Sequence, residues 1–295
     1  MATIARIIVT DPDLKNKRQL FSRFIAESKQ LLPNGKKHQF VLLPAGFVPF
    51  AIKSDLTNTP LSEPNDKSAK RKWNTEIEAL KDQALAEFHR SFDSKLLKEL
   101  KSVANHLVVG IDGKVTPKNK GKHIEFVLVY DLQADKPLHW TGKTYPQSNQ
   151  RNSLIKMPIE THFIKRKIGG KKVAVLDCND LSIFNQRQQQ FFSPFKNELK
   201  DKRREDTPTG KIKCPFIDAT LDFCPDLVLQ LAHTEGPWAA KWTKFNTWLQ
   251  RKSGKELQHF ATGLKKNSKD KKQYSLSGTQ RGDVINFVSG ELVDK

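Results

Sequence analysis

Apolar runs alternate along this chain with stretches of helical period, and the alternation predicts a layered α/β fold. The strands that we predict lie at residues 4–11, 38–44, 106–112, 123–131, 171–178, 225–233, 257–266 and 282–292. Several of these runs are continuously apolar rather than alternating, which indicates sheets covered by helices or by another sheet.

Helical periodicity fills the spaces between these runs. Residues 18–32 place Leu20, Phe21, Phe24, Ile25, Leu31 and Leu32 on one side of a helix. Further helices are predicted over residues 73–105, over 186–199 with an interruption at Pro194, and over 241–254. Because strands and helices alternate without a break in the pattern, residues 1–295 are expected to form a single domain.

Two segments lack any period. Residues 54–72 are polar and contain two prolines, so we predict an exposed insertion there. Residues 200–211 are rich in Lys, Arg and Asp and predict a charged excursion on the surface.

The composition limits the class of protein. With 295 residues and 37% hydrophobic content, the chain can bury a large core. Cys178, Cys214 and Cys224 are odd in number and irregularly spaced, which fits neither a disulfide framework nor a paired zinc motif. No secretory signal and no apolar window of about 18 residues is found. We therefore expect a soluble, cytoplasmic protein without a membrane segment.

The net charge of +19 is concentrated in clusters at residues 67–72, 165–172, 200–204 and 265–272. Such clusters attract polyanions, so nucleic acid is one candidate partner. Solvated lysine loops and an acidic protein partner are the alternatives. The sequence contains no zinc-finger spacing, no aromatic RNA-binding strand motif and no basic helix leading into heptads.

Two predicted strands end in contrasting ways. The run VLLPAGFVPF (41–50) has the small residues Ala45 and Gly46 at its end, whereas VAVLDCNDLS (173–182) ends in Cys178. A thiol at a strand-to-helix turn can be activated by backbone donors and by a neighbouring Lys. A buried, unreactive cysteine is the alternative, and it is our expectation for Cys214 and Cys224.

The order of elements and the motif VAVLDCNDL resemble the nitrilase, or carbon-nitrogen hydrolase, superfamily. The resemblance implies a four-layer α-β-β-α sandwich and a Glu, Lys, Cys triad at strand ends. It places the nucleophile at Cys178, a backbone oxyanion donor at Asn179 and an anchoring carboxylate at Asp180. The triad lysine is predicted at Lys143 in WTGKTYP, with Lys156 and Lys136 as alternatives.

The chain departs from the family pattern at the glutamate, because LLPAGF carries Ala45 where the carboxylate belongs. Three explanations are open: a pseudoenzyme that keeps the fold as a platform, a relocated base, or a deliberate replacement of Glu by Ala. The candidates for a relocated base are His233, Glu235, Asp177 and Asp180, which lie near predicted strand ends.

The stretch LAHTEGPWAAKW (231–242) follows the strand after the nucleophile, so His233, Trp238 and Trp242 are candidates for lining a pocket. Ordinary packing of the tryptophans is the alternative. The resemblance implies no metal or organic cofactor, and it implies a homodimer or larger assembly.

The function that we expect is hydrolysis of the C–N bond of an amide or nitrile through Cys178, if the protein is active. Nitrilase-like domains also occur in bacterial defence systems, which a basic surface would suit. The alternative is a noncatalytic, nucleic-acid-associated or scaffold protein that uses the fold for oligomerisation.

Overall fold

The computed structural model describes residues 4–32, 35–56, 58–115, 121–146, 150–177, 180, 210–233, 247, 249–251, 254, 258–262, 264–265, 284–288 and 290–292. Its strands are β1 (Ile4–Thr10), β2 (His38–Leu42), β3 (Val48–Ala51), β4 (Ala104–Lys114), β5 (His123–Asp131), β6 (Lys136–Gly142), β7 (Leu154–Ile155), β8 (Val173–Leu176), β9 (Leu227–Leu231), β10 (Gln258–Thr262), β11 (Leu264–Lys265), β12 (Val284–Val288) and β13 (Glu291–Leu292). Its α-helices are α1 (Asp11–Lys15), α2 (Lys17–Leu31), α3 (Lys67–Ser91), α4 (Ser94–Lys101) and α5 (Gly210–Phe223).

The strands form two sheets. The larger sheet has the order β13-β12-β1-β2-β4-β5-β6, with β3 on β4, β7 on β5 and β11 on β1. The smaller sheet has the order β10-β9-β8, and its strands are parallel. Along one edge of β4, β2 pairs with the first half and β3 with the second half. The chain between β2 and β3 therefore bends away opposite the middle of β4.

Three clusters of buried apolar residues show how the layers of the fold follow one another. The first joins α2, α3 and α4 to one face of the larger sheet, including Phe24, Leu80 and Val109. The second lies between the sheets and includes Val127 and Leu229. The third joins the outer face of the smaller sheet to α5 through Phe216 and Val228. The order helix, sheet, sheet, helix is the predicted α-β-β-α sandwich.

Several predicted boundaries are wrong. The long helix begins at Lys67, not at 73, because the Asp66 side chain accepts a hydrogen bond from Ala69 N (2.9 Å) and caps it. The segment 54–72 is therefore not an exposed loop throughout, and Thr59 within it is buried. The helical stretch also divides, since Asp93 caps a separate helix, α4.

The strand β3 and the helix α5 were not predicted. Pro49 interrupts the apolar run that becomes β3, and Pro215 lies inside α5, so local rules disfavour both elements. The predicted helix at 186–199 and the charged excursion at 200–211 lie outside the described residues, apart from the start of α5. In the parts of the chain that the structure covers, we find no helix with the length and apolar character needed to span a bilayer.

Candidate active site

A row of three charged residues crosses neighbouring strands of the larger sheet. Asp112 on β4 lies directly opposite Glu125 on β5 in the antiparallel ladder. Lys143 follows β6, and its backbone N–H donates to the carbonyl oxygen of Glu125 (2.9 Å). Val127, two residues from Glu125, belongs to the cluster between the sheets. Because side chains alternate along a strand, Glu125 also faces the space between the sheets.

Glu125 and Lys143 form a buried ion pair. The ammonium group of Lys143 donates to Glu125 Oε2 at 2.7 Å, with side-chain exposures of 1% for Lys143 and 5% for Glu125. The other carboxylate oxygen, Oε1, accepts a hydrogen bond from Gln150 Nε2 at 2.7 Å. Buried charges require such partners, because removing them from water unpaired is costly.

The surroundings of Glu125 decide its protonation state. Burial on its own raises the pKa of Glu125, but His123, Lys143 and His233 together outweigh it and lower this pKa to about 2. His123 Nε2 lies 3.5 Å from Oε1, and His233 Nδ1 lies 3.8 Å from Oε2. Glu125 is therefore a carboxylate at neutral pH.

His233 comes to this row from the smaller sheet, two residues after β9. Its Nε2 lies 2.8 Å from Asp112 Oδ2, in hydrogen-bonding contact. Gly46 adopts a left-handed backbone (φ +68°), and a Cβ there would lie 3.0 Å from Asp112 Oδ2 and 3.2 Å from His233 Cδ2. A glycine at this turn therefore allows both the backbone conformation and the approach of the imidazole.

Asp177, at the end of β8, completes a group of possible metal ligands. One ligand atom each from Glu125, Asp177 and His233 can be chosen so that all three lie within 4.8 Å of one another. Two carboxylates and an imidazole are donors that suit a divalent cation such as Zn²⁺. Lys143 already supplies one positive charge to Glu125 at this place.

Asp180 connects the end of β8 to the segment that carries Lys143. Its Oδ1 accepts hydrogen bonds from the backbone of Thr144 (3.1 Å) and Tyr145 (2.8 Å), and its Oδ2 accepts from Asp177 N (3.3 Å). Burial raises the pKa of Asp180 to about 7, although Lys143 and the backbone donors act against this rise. The contacts hold Lys143 and Asp177 in a fixed relation.

His162 adds a second connection between β8 and the segment that carries Lys143. Its Nδ1 lies 2.7 Å from the carbonyl oxygen of Val175 on β8, and its Nε2 lies 2.8 Å from Thr144 Oγ1. The ring is fully buried, and burial lowers the pKa of His162 to about 4. A neutral imidazole thus ties the smaller sheet to the strand end that precedes the site.

Ala45 lies near the row formed by Asp112, Glu125 and Lys143, but it packs on β4 at Gly110, not at Asp112. A side chain at Gly110 would collide with the Cα of Ala45, so the turn packs directly on β4 at that point. Gly110 precedes Asp112 by two residues, a spacing of about 7 Å along a strand. Ala45 N donates to Ala232 O on the smaller sheet (3.3 Å), and the Ala45 side chain belongs to the cluster between the sheets.

The predicted site residues divide into those that the structure describes and those that it does not. Cys178, Asn179, Glu235, Trp238 and Trp242 lie outside the described residues. Of the three candidate lysines, Lys143 contacts a buried carboxylate, whereas Lys136 is exposed and Lys156 is half-buried. Asp177 and His233, two candidates for the relocated base, are brought together with Glu125.

Sequence reasoning missed Glu125 and Asp112. Glu125 lies inside the largely apolar strand HIEFVLVYD, whose other acid, Asp131, is at its end, and Asp112 ends the apolar run LVVGID. An acidic residue is seldom buried unless it has a partner. An acid within an apolar strand was therefore the signal available in the sequence, but it does not show which residues pair with Glu125 or Asp112.

No protein-family model matches the chain, and no curated protein matches it in sequence. A mutant of the amidase from Nesterenkonia sp. AN1 in complex with butyramide has a TM-score of 0.51 at 11% identity, over 89% of this chain and 76% of the other. That amidase after tag removal gives 0.49 at 12% identity, over 90% and 78%.

A CN-hydrolase superfamily protein from Xanthomonas campestris, with an arsenic adduct in its active site, gives a TM-score of 0.39 at 9% identity, over 89% of this chain and 74% of the other. The Nesterenkonia amidase is described as a member of the nitrilase superfamily. The TM-score of 0.51 to the butyramide complex and the two-sheet architecture agree on the fold. The chain therefore has the nitrilase-superfamily fold that its sequence resemblance predicted.

Proposed function

We propose that the protein hydrolyses the C–N bond of an amide or nitrile with Cys178 as the nucleophile. The observation that carries the proposal is the buried Glu125–Lys143 pair beside Asp177, the residue that immediately precedes Cys178 in the chain. Cys178 is bonded directly to Asp177 in the chain, so we infer that its thiol acts within reach of this cluster.

The cluster supplies the charge that thiol chemistry needs. An ammonium group near the sulfur favours the thiolate, and it stabilises the oxyanion that forms when sulfur attacks a carbonyl. Glu125 holds Lys143 in place by accepting a hydrogen bond from its ammonium group. In this proposal Glu125, from β5, replaces the carboxylate that the family carries at the position of Ala45.

The reaction follows from these groups. The thiolate of Cys178 adds to the amide carbon, the C–N bond breaks with loss of ammonia or an amine, and a thioester remains. Water then adds to the thioester carbon, and the C–S bond breaks to release the acid. The solved amidase with a similar fold was captured with butyramide, which supports a short amide as the first substrate to try.

The proposal is tested by labelling the intact protein with iodoacetamide and measuring each cysteine by mass spectrometry. We expect Cys178 to react at least about 10-fold faster than Cys214 and Cys224 near neutral pH, because a thiolate is the reactive form. Release of ammonia from butyramide and related amides is measured in parallel, with Cys178→Ala as the inactive control. Equal, slow labelling of all three cysteines would sink the proposal.

A noncatalytic, nucleic-acid-associated protein is a second candidate function. It is favoured by the basic start of α3, where Lys67, Lys70, Arg71 and Lys72 are exposed. We expect binding of RNA or DNA that weakens steeply as salt rises, because counterion release drives such association. Affinity that does not change with salt, or no binding, would argue against this candidate.

A further inference from the structure

Basic side chains from four segments of the chain gather at one end of the larger sheet. At this end His106 of β4 lies opposite Asp131 of β5, which lies opposite Lys136 of β6. Glu125 precedes Asp131 by six residues on β5, so this end lies about 20 Å from the candidate active site. The side chains that we call the basic surface are Lys37, Lys101, Lys136, Lys165, Arg166 and Lys167.

The turn between β5 and β6 holds two of these cations through neutral groups. The ammonium group of Lys101 donates to the carbonyl oxygen of Gln133 at 2.8 Å, and that of Lys37 donates to Gln133 Oε1 at 3.4 Å. Gln133 Nε2 donates in turn to the carbonyl oxygen of Ala104 on β4 (3.0 Å). An amide or carbonyl oxygen positions an ammonium group without neutralising it. Both lysines therefore keep their charge for a partner.

Three further cations belong to a hairpin that precedes β8. Ile168 and Lys171 exchange two backbone hydrogen bonds, of 2.9 and 3.1 Å, around a two-residue turn. Gly169 and Gly170 form that turn with φ of +56° and +79°, and positive φ at both positions is what such a turn requires. Ile168 is buried between the sheets, whereas residues 165–167 before it are exposed.

Two contacts place this hairpin at the same end of the larger sheet. Arg166 donates to Asp131 Oδ2 at 3.4 Å, and a Cβ on Gly169 would lie 3.7 Å from the side-chain amide of Gln39 on β2. The Arg166 side chain is 61% exposed, so its ion pair adds little to stability and leaves the guanidinium accessible. The hairpin and the sheet end therefore form one continuous surface.

The composition of the basic surface indicates a partner rich in phosphate. Its six cations lie beside two carboxylates of the β5–β6 turn, Asp131 and Asp135, so positive charge is in excess. Protein interfaces are poor in Lys and have apolar centres, but the exposed large hydrophobic residue in the described part of the chain is Leu31. Single-stranded nucleic acids stack on aromatic side chains, whereas the rings of His106 and Tyr130 at this end are buried.

We propose that the basic surface binds the phosphate backbone of a nucleic-acid duplex without reading its bases. Lysine and arginine side chains at a protein surface gain affinity from duplexes by releasing the counterions of the phosphates. This inference goes beyond the proposed hydrolysis and does not depend on it. It also assigns the contact to a surface other than the basic start of α3.

The test is fluorescence anisotropy of labelled DNA and RNA duplexes of about 20 base pairs, titrated with the full chain. With about four phosphate contacts, we expect the affinity to fall about 100-fold between about 50 and 200 mM salt. The same strands, unpaired, should bind more weakly. Binding of either duplex supports the inference, and the tighter one identifies the sugar that the surface prefers.

Two variants locate the contact. Lys165→Gln, Arg166→Gln and Lys167→Gln together remove the hairpin cations, and they should weaken duplex binding at least about 10-fold and reduce the salt slope by about 2. Lys37→Gln with Lys136→Gln removes two cations of the sheet end and should act in the same direction, by about 5-fold. Circular dichroism shows whether each variant is folded, and the second keeps the inference testable if the first does not fold.

A matched control removes the same charge at the start of α3, by Lys67→Gln, Lys70→Gln and Arg71→Gln, since these residues are exposed. The ring of Phe88, near the end of α3, lies 4.8 Å from that of Tyr130, so the start of this helix is about 30 Å from the basic surface. Charges at that distance are screened by salt, so we expect a change in affinity of less than about 3-fold.

Every other result overturns the inference. Equal losses in the two triple variants would show that net charge alone attracts the duplex, and a loss in the α3 variant alone would place the contact on α3. Tighter binding of the single strands, or polyglutamate that competes as well as the duplex, would indicate a different partner. If no duplex binds, the basic surface has no such role, while amide hydrolysis, measured separately by ammonia release, is unaffected.

Discussion

The ammonium group of Lys143 lies 2.7 Å from the carboxylate of Glu125, in the layer between two sheets where both side chains are almost fully buried. Glu125 lies on β5, Lys143 directly follows the neighbouring strand β6, and Asp112 on β4 continues the row. A buried pair of this kind stabilises poorly in itself, because both charges lose their hydration. Its position beside Asp177 and His233 therefore suggests a role in chemistry rather than in stability.

Glu125→Gln should lower the free energy of unfolding by about 3 kcal/mol and slow labelling of Cys178, because the buried ammonium of Lys143 loses the charged carboxylate to which it donates. The double variant with Lys143→Met should recover most of the stability but not the labelling rate. Urea unfolding and iodoacetamide labelling measure the two effects. Glu291→Gln is the control, since its pair with Arg23 is exposed and should change stability by less than about 1 kcal/mol. Full recovery of labelling in the double variant would contradict the role given to the pair.

Ala45→Glu should destabilise the protein and give no gain in amide hydrolysis. A second carboxylate would enter the layer between the sheets, near the row that already holds Asp112 and Glu125, and like charges there repel. In a Glu125→Gln background the same change should be better tolerated, because one carboxylate has been removed. Urea unfolding and ammonia release measure the outcome. Higher activity of Ala45→Glu alone would show that Glu125 does not replace the missing group.

Gly46→Ala should reduce labelling of Cys178 more than it reduces stability. A left-handed backbone costs an alanine about 1–2 kcal/mol, and the new methyl group presses on Asp112 and His233. Gly35→Ala is the matched control, because Gly35 also has a positive φ but has no atom within 4 Å of the added Cβ. Equal effects of the two substitutions on labelling would show that only backbone strain matters.

Asp180→Asn should remove a pH dependence of stability. The pKa of this carboxyl is raised in the folded protein from 3.8 to about 7. Its stabilising contribution is therefore complete below about pH 4 and is lost as pH rises through about 7, by at most about 4 kcal/mol. The difference in unfolding free energy between wild type and variant should shrink over this range. A difference that is constant from about pH 4 to 8 would contradict the assignment.

His162→Gln should make the protein less sensitive to acid. Burial lowers the pKa of His162 from 6.5 to about 4, so its neutral form stabilises the fold above about pH 6.5. This contribution is lost as pH falls toward about 4, by at most about 3 kcal/mol. Urea unfolding at several pH values measures the loss, with the exposed His89→Gln as control. The same acid sensitivity in wild type and His162→Gln would contradict the prediction.

The sequence by itself determined the strands that carry continuous apolar runs. The predicted bounds of 123–131 match β5, and those at 4–11, 38–44 and 106–112 lie within two residues of β1, β2 and β4. Local patterns suffice there because a strand buried on both faces needs apolar side chains at successive positions. The nitrilase-like fold was predicted from a resemblance, which the order of these elements and the motif VAVLDCNDL carry.

Only the tertiary structure decided which charged residues meet. Asp112 and His233 are 121 residues apart in the chain; Asp112 lies on β4 of the larger sheet, and His233 follows β9 of the smaller one. Their contact depends on strand pairing, on register and on the packing of one sheet against the other, none of which is encoded in a local period. The absence of a carboxylate at Ala45 was visible in the sequence, but the place of Glu125 beside Asp112 and Lys143 depends on the register that sets β4, β5 and β6 side by side.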